Sequence, residues 1–338
     1  MIYGVKPTRT YRSYYGGENL DKMSGNIPSR KDRFPEDWLC SVTRAFNPGM
    51  EVPNEGLSML CDGRYLADVI DADNADMIGE NDRMSLLFKL LDSAERLTVQ
   101  VHPTVDFAKK YFGSEFGKTE CWYILNDGGY VYIGFKPNVT KAQFKEIFDK
   151  QDIPAMLDCL HRFDVHRGDI IFVPGGVPHA IGANCFLAEL QEPTDLMVVP
   201  EGVTPSGVAL AEEKLHGGLG FEKMFDCFCY NGVGREETYK KYFKPPKPVN
   251  ETEKMIIDST MTDKFCLSEI KVDGEYVRNI DEYAILLVLE GSGECNSVPL
   301  KAYERFFVPY SEKTIRFKGK MKILICCPHS ALEREKEK

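Results

Sequence analysis

The chain is expected to be mainly β, a duplicated barrel carrying a helical segment, and three observations lead there. Short apolar runs alternate with polar residues at a period of two, Gly, Pro, Asn and Asp punctuate them, and one strand–turn–strand block occurs twice. Ile171-Phe172-Val173-Pro174 followed by His179 is echoed by Phe306-Phe307-Val308-Pro309 followed by Thr314-Ile315. The second copy has lost the histidine.

The first ~80 residues are turn-rich, with a short strand-like run at Leu39 to Val42. Arg83 to Asp92 is apolar enough for a helix or a buried strand, and periodicity does not separate the two. Leu97 to His102 alternates cleanly, so Thr98, Gln100 and His102 share one strand face that ends at Pro103. Cys121 to Leu125 and Tyr130 to Phe135 read as strands joined by Asn126-Asp127-Gly128-Gly129, a hairpin signal. Thr140 to Asp149, capped at Thr140, and Ile153 to Leu160 have helical spacing. Strands resume at Asp164 to Pro174, Pro178 to Ile181 and Phe186 to Leu190.

The stretch from about 201 to 250 is loop-rich and helical, and Lys244-Pro245-Pro246-Lys247-Pro248 marks a linker. The expected division is a metal-binding barrel over 1–245, with helical insertions near 140–160 and 205–230, and a second barrel without metal over 246–330. In that second unit strands are expected at Phe265 to Val272, Tyr283 to Glu290, Arg305 to Val308, Thr314 to Phe317 and Lys322 to Cys326. The charged tail, 331–338, reads as a solvated, frayed helix.

Composition narrows the function classes. A hydrophobic share of 43% and a charged share of 28% over 338 residues are those of a globular protein rather than a disordered one. A net charge of −10, with no dense Lys/Arg stretch outside the tail, argues against a nucleic-acid partner. No apolar run approaches the ~20 residues that span a bilayer and the N-terminus lacks a leader-like apolar region, so a cytoplasmic location without membrane association is expected. The 11 cysteines are scattered without a C-x-x-C pair and read as reduced thiols. Oligomeric state is not encoded in any of these features.

Gln100 and His102, two apart on a strand, can reach one ion from the same wall, while Glu120 and His179 lie on other strands. Closing a sheet brings such inward positions together, and an imidazole, carboxylate and amide set suits zinc or another first-row divalent ion, with water or substrate completing the shell. Hydrogen-bonded core histidines and a Lys118–Glu120 salt bridge are the alternatives. Glu120 favours the metal, because a carboxylate beside Cys121-Trp122-Tyr123-Ile124-Leu125 is costly to bury unless paired or coordinated.

Four blocks together carry a resemblance: Leu86 to Asp92, Thr98 to Pro103, Gly117-Lys118-Thr119-Glu120-Cys121-Trp122-Tyr123, and Val173-Pro174-Gly175-Gly176-Val177-Pro178-His179. They resemble the signature blocks of type I mannose-6-phosphate isomerases in their short bacterial form, strongly over about 85 to 195 and in layout elsewhere. The resemblance implies two cupin (jelly-roll) barrels with a helical segment, one zinc ion in the first, and interconversion of mannose 6-phosphate and fructose 6-phosphate. By position, Gln100, His102, Glu120 and His179 match the metal ligands. Lys89, Thr98, Lys118 and Glu189 match positions lining the substrate pocket, with Lys118 and Glu189 expected to take part in catalysis.

One position departs from the pattern. Where the family usually places an arginine, this chain has Val199, and Leu196 to Glu201 contains no cation. Either a cation enters from elsewhere, with Lys118 and Lys89 the nearest candidates by motif, or the protein is an isomerase of another sugar. A sugar-sensing cupin without turnover is the third reading, against which the presence of Lys118, Glu120 and Glu189 counts.

Overall fold

The computed structural model describes residues 1–28, 32–49 and 52–329. The charged tail lies outside the described residues. The fold is mainly β: among the described residues the strands form three antiparallel sheets whose hydrogen-bonded paths are open, with no closed barrel. Among the described residues, no helix is long and apolar enough to cross a membrane.

A six-stranded sheet runs in the order Arg9–Thr10, Glu36–Leu39, Leu87–Asp92, Phe186–Gln191, Glu120–Ile124, Ile170–Val173. Its central strands are buried on both faces, which is why Leu86-Leu87-Phe88 and the residues after them read as a continuous apolar run. One face carries Leu39, Phe88, Leu90, Cys121, Tyr123, Ala188 and Leu190 against a second, eight-stranded sheet. The opposite face carries Leu91, Trp122, Ile124 and Leu187 against a three-stranded sheet, Leu160–Val165, Gly129–Phe135 and His179–Ile181. Period-two alternation therefore sorts these strands between two cores, and the polar residues on the second face are the ones that build the site.

The segment Leu97 to His102 extends the three-stranded sheet: Gln100 and His179 exchange both backbone hydrogen bonds at 2.9 Å, and Val101 pairs with Val198. Val99 and Val101 point away from the site, into a helical layer containing Phe144, Phe148, Met224 and Phe225. That layer comprises Lys141–Asp149, with a capping box at Thr140 and Gln143, together with Ile153–Asp158, Glu212–His216, Phe221–Met224 and the short 3-10 turn Phe225–Cys227.

Asn126-Asp127-Gly128-Gly129 is not a hairpin. Glu120–Ile124 already has both edges filled by Phe186–Gln191 and Ile170–Val173, so the turn carries the chain into the other sheet, where Gly129–Phe135 pairs with Leu160–Val165 and His179–Ile181. Its side chains anchor neighbouring loops instead: Asn126 accepts from the Phe186 amide at 2.8 Å, and Asp127 from the Arg167 amide at 3.1 Å. The first strand-like run is also shifted, to Glu36–Leu39, with Cys40 beyond it at a φ of 52°.

The eight-stranded sheet runs Tyr3–Val5, Arg305–Val308, Ala284–Cys295, Thr314–Pro328, Phe265–Asn279, Glu253–Ile257, Lys247–Pro248, with Val298–Lys301 beside Ala284–Cys295. Two strands expected at Thr314 to Phe317 and Lys322 to Cys326 are one, because Lys318 to Met321 stays paired across the intervening glycine. A Cβ on Gly319 would lie 2.6 Å from the Gly293 Cα, so only glycine lets these long strands approach there. The N-terminal strand Tyr3–Val5 joins the edge of this sheet, a crossing that no sequence signal announced.

Candidate metal centre and cavity

The site lies between the three- and six-stranded sheets. Along one row of cross-strand partners, Trp38, Lys89, Glu189 and Trp122 stand side by side, and Gln191 faces Glu120 one step further. His179 and Gln100 face them from the three-stranded sheet, and His102 ends the same segment.

His102, Glu120 and His179 converge, with their ligand atoms all within 4.8 Å of one another. The Nδ1 of His102 is 2.9 Å from the Leu196 carbonyl oxygen, and that of His179 is 2.9 Å from the Val177 carbonyl oxygen. A carbonyl only accepts, so each Nδ1 carries the proton and each neutral ring presents a lone pair on Nε2 toward Glu120. Burial, aided by His102, pushes His179 down to about 3, which keeps its ring neutral. Burial also lowers His102.

Glu120 lies 3.0 Å from His102 Nε2 through Oε1 and 3.8 Å from His179 Nε2 through Oε2. Burial opposes its charge, but the Lys118 ammonium against it holds it well below the usual carboxylate range. The Trp122 indole N–H donates to Oε2 at 3.2 Å. Lys118 forms an ion pair with Glu120 Oε1 at 2.7 Å and lies 3.1 Å from His102 Nε2, so the expected Lys118–Glu120 pair exists within the same cluster. The Nε2 of His179, fully buried, has no hydrogen-bond partner. A buried lone pair facing a carboxylate and a second imidazole fits a divalent cation and is costly otherwise. These residues fit the ion that the resemblance implies.

Beside the cluster, reached through Gln100 and Lys118, opens a cavity that is partly continuous with solvent. Lys89, Thr98, Gln100, Lys118 and Glu189 all line it, so every remaining candidate residue meets the same space. Burial and the Glu120 carboxylate push Glu189 up to about 8. Lys89 sits 3.5 Å from Glu189 and 3.7 Å from Glu36, with its ammonium 5.5 Å from the Trp38 ring centre.

Further residues line the cavity beyond those the sequence singled out. Glu36 is held by Arg12 Nε at 2.9 Å, the Tyr14 hydroxyl at 2.8 Å and the Trp38 indole N–H at 2.8 Å. Arg12 also reaches Asp195 at 3.3 Å, and Arg96 grips Glu201 with two bonds of 2.6 and 2.8 Å. Val199 lines the cavity as an apolar, buried patch, and Lys214 enters beside it. Glu36 could have been found from its alternation with Trp38; Arg12 and Lys214 arrive from turns and short helices whose sequence carries no such signal.

Fold and centre together define a class: a layered, mainly β protein with a buried histidine–carboxylate cluster under a charged cavity. The comparisons with known proteins are particular. The chain is 33% identical over 195 residues to a probable mannose-6-phosphate isomerase, GmuF, of Bacillus subtilis, covering 56% of this chain and 58% of that protein. It is 36% identical over 184 residues to the mannose-6-phosphate isomerase ManA of the same organism, covering 54% and 55%. These alignments span little more than half the length of the curated relatives. A putative mannose-6-phosphate isomerase, YvyI, also of B. subtilis, aligns over 92% of this chain and 94% of its own at 26% identity. Among solved structures, the B. subtilis mannose 6-phosphate isomerase superposes with a TM-score of 0.76 at 23% identity, covering 96% of this chain and 99% of that one, which shows the same fold. No family model matches.

Proposed function

We propose that the protein is a metal-dependent aldose–ketose isomerase that interconverts mannose 6-phosphate and fructose 6-phosphate, with one zinc ion per chain. The observation that carries this reading is the convergence of His102, Glu120 and His179 beside a cavity lined by Glu189, Lys89 and Lys118. Names of the similar proteins agree with it. Gln100, paired to His179 across the sheet and lining the cavity, is the fourth proposed ligand. We take the two cupin barrels, the 1–245 and 246–330 division and a cytoplasmic location as part of the same reading.

Zinc, when bound, supplies a Lewis acid that polarises the sugar oxygens. Isomerisation moves a proton between adjacent carbons, and Glu189 on the cavity wall, in the ionised form that grows as pH rises toward about 8, takes it from one carbon and returns it to the other. Lys118 and Lys89 hold the sugar oxygens that carry the developing charge, and Thr98 borders the same space.

Incubation with mannose 6-phosphate, read by a fructose 6-phosphate assay, tests the reading. Turnover should vanish on chelation and return with zinc; full turnover by protein shown metal-free by elemental analysis would refute it. Val199, apolar where a cation is expected, favours a second reading, an isomerase of a different sugar phosphate. A substrate panel separates the two.

A further inference from the structure

Charge accounting in the cavity singles out one residue. Five cations border it: Arg12, Lys89, Arg96, Lys118 and Lys214. Arg12 is bound to Glu36 and Asp195, Lys89 to Glu189 and Glu36, Arg96 to Glu201, and Lys118 to Glu120. Each of these four is matched by a carboxylate that is itself buried. Among the described residues, Lys214 alone of the five forms no ion pair or hydrogen bond through its side chain, and it feels Asp195 and Glu36 only at longer range. Burial and the neighbouring Arg12 act to lower its affinity for a proton. A partly buried ammonium without a carboxylate partner, facing a cavity, is unfavourable unless an anion enters.

The backbone explains how it comes to be there. The Val199 amide donates to the Leu215 carbonyl at 2.8 Å, which docks the short helix Glu212–His216 onto the segment that carries Val199. Lys214, one residue earlier, is thereby brought into the cavity wall beside that valine. The positive charge absent from Leu196 to Glu201 is delivered by a different element.

We propose that Lys214 receives the phosphate group of the substrate and sets the preference for a phosphorylated sugar over a neutral one. This rests on the sugar-phosphate reading above and adds to it the residue that enforces it. Lys89 and Lys118 are tied to buried carboxylates, whereas Lys214 is free to meet a dianion, as a point charge needing no fixed bond geometry. A charge-assisted contact of this kind is worth about 10- to 100-fold in affinity.

The experiment compares metal-loaded wild type with Lys214→Ala and Lys214→Arg, matched for zinc content and melting temperature. Lys214→Ala should raise KM for mannose 6-phosphate, and the inhibition constant of inorganic phosphate, by about 10- to 100-fold, with kcat within a few-fold of wild type; Lys214→Arg should recover most of the loss. Unchanged KM and phosphate inhibition in Lys214→Ala overturn the proposal, as does a fall in kcat alone, because that would place Lys214 in the chemical step or the fold. Should the wild type turn over no mannose 6-phosphate, the function proposed above fails, and calorimetric titration with inorganic phosphate still decides this one. Weakened binding in Lys214→Ala supports the anion site, and equal binding removes it.

Discussion

His179 and Glu36 show how a single buried group constrains the site. Its Nδ1 held by the Val177 carbonyl and its Nε2 aimed at Glu120, His179 has one use for its lone pair. His179→Ala should therefore lower zinc from about one equivalent per chain to well below that after dialysis, measured by elemental analysis; full retention would exclude His179 as a ligand. Glu36 gives a pH signature. Burial alone would raise its pKa, but Arg12 and Lys89 hold it far below the usual carboxylate range. A depressed folded-state value contributes stability that is complete above the unfolded-state value of ~4.3 and is lost as pH falls below it. Wild-type stability should thus decline below about pH 4, and Glu36→Gln should be less stable at neutral pH with a flatter acid limb in urea titrations. An unchanged acid limb would mean that the Arg12–Glu36 pair does not control acid unfolding.

At the scale of elements, the strand Arg305–Val308 ties the two halves of the chain. It pairs with the N-terminal Tyr3–Val5, and Arg305 reaches Asp37 of the six-stranded sheet at 3.0 Å, with both side chains buried. Arg305→Ala leaves Asp37 charged and without that partner, so about 3–5 kcal/mol of stability should be lost, seen as a lower urea midpoint; a loss below about 1 kcal/mol would show that Asp37 is otherwise compensated. Such ties are what the sequence conceals. Alternation exposed the inward face of Leu97 to His102, and the motif blocks supplied the rest: Lys89, Thr98, Gln100, Lys118 and Glu189 line one cavity, and His102, Glu120 and His179 converge beside it. Lys118 precedes its strand and is held there by its ion pair with Glu120. The turn at Asn126 to Gly129 read as a hairpin because turn chemistry is local, whereas the choice of sheet depends on which strand edges are already filled. Arg12 and Lys214 were illegible for the same reason: their place is set by long-range docking of irregular segments.

For the whole molecule, the shared core decides whether the halves unfold together. One hydrophobic cluster joins Leu39, Phe88, Leu90 and Tyr123 of the six-stranded sheet to Ile285, Leu287, Phe307 and Leu324 of the eight-stranded sheet, and the Tyr123 hydroxyl donates to Glu269 across the same boundary. Removing one sheet would expose much of the apolar inner surface of the other. The chain's two tryptophans, Trp38 and Trp122, both lie in strands of the six-stranded sheet, so their fluorescence reports on that sheet alone. Leu287 is fully buried on the opposite side of the boundary, and Leu287→Ala should cost about 2–5 kcal/mol through lost burial and the cavity left behind. If the core couples the two sheets, the tryptophan transition and the far-ultraviolet dichroism transition should shift to lower urea together and stay coincident. A variant whose dichroism moves while its tryptophan midpoint stays with wild type would show two independently unfolding halves, and the site would then rest on the six- and three-stranded sheets alone.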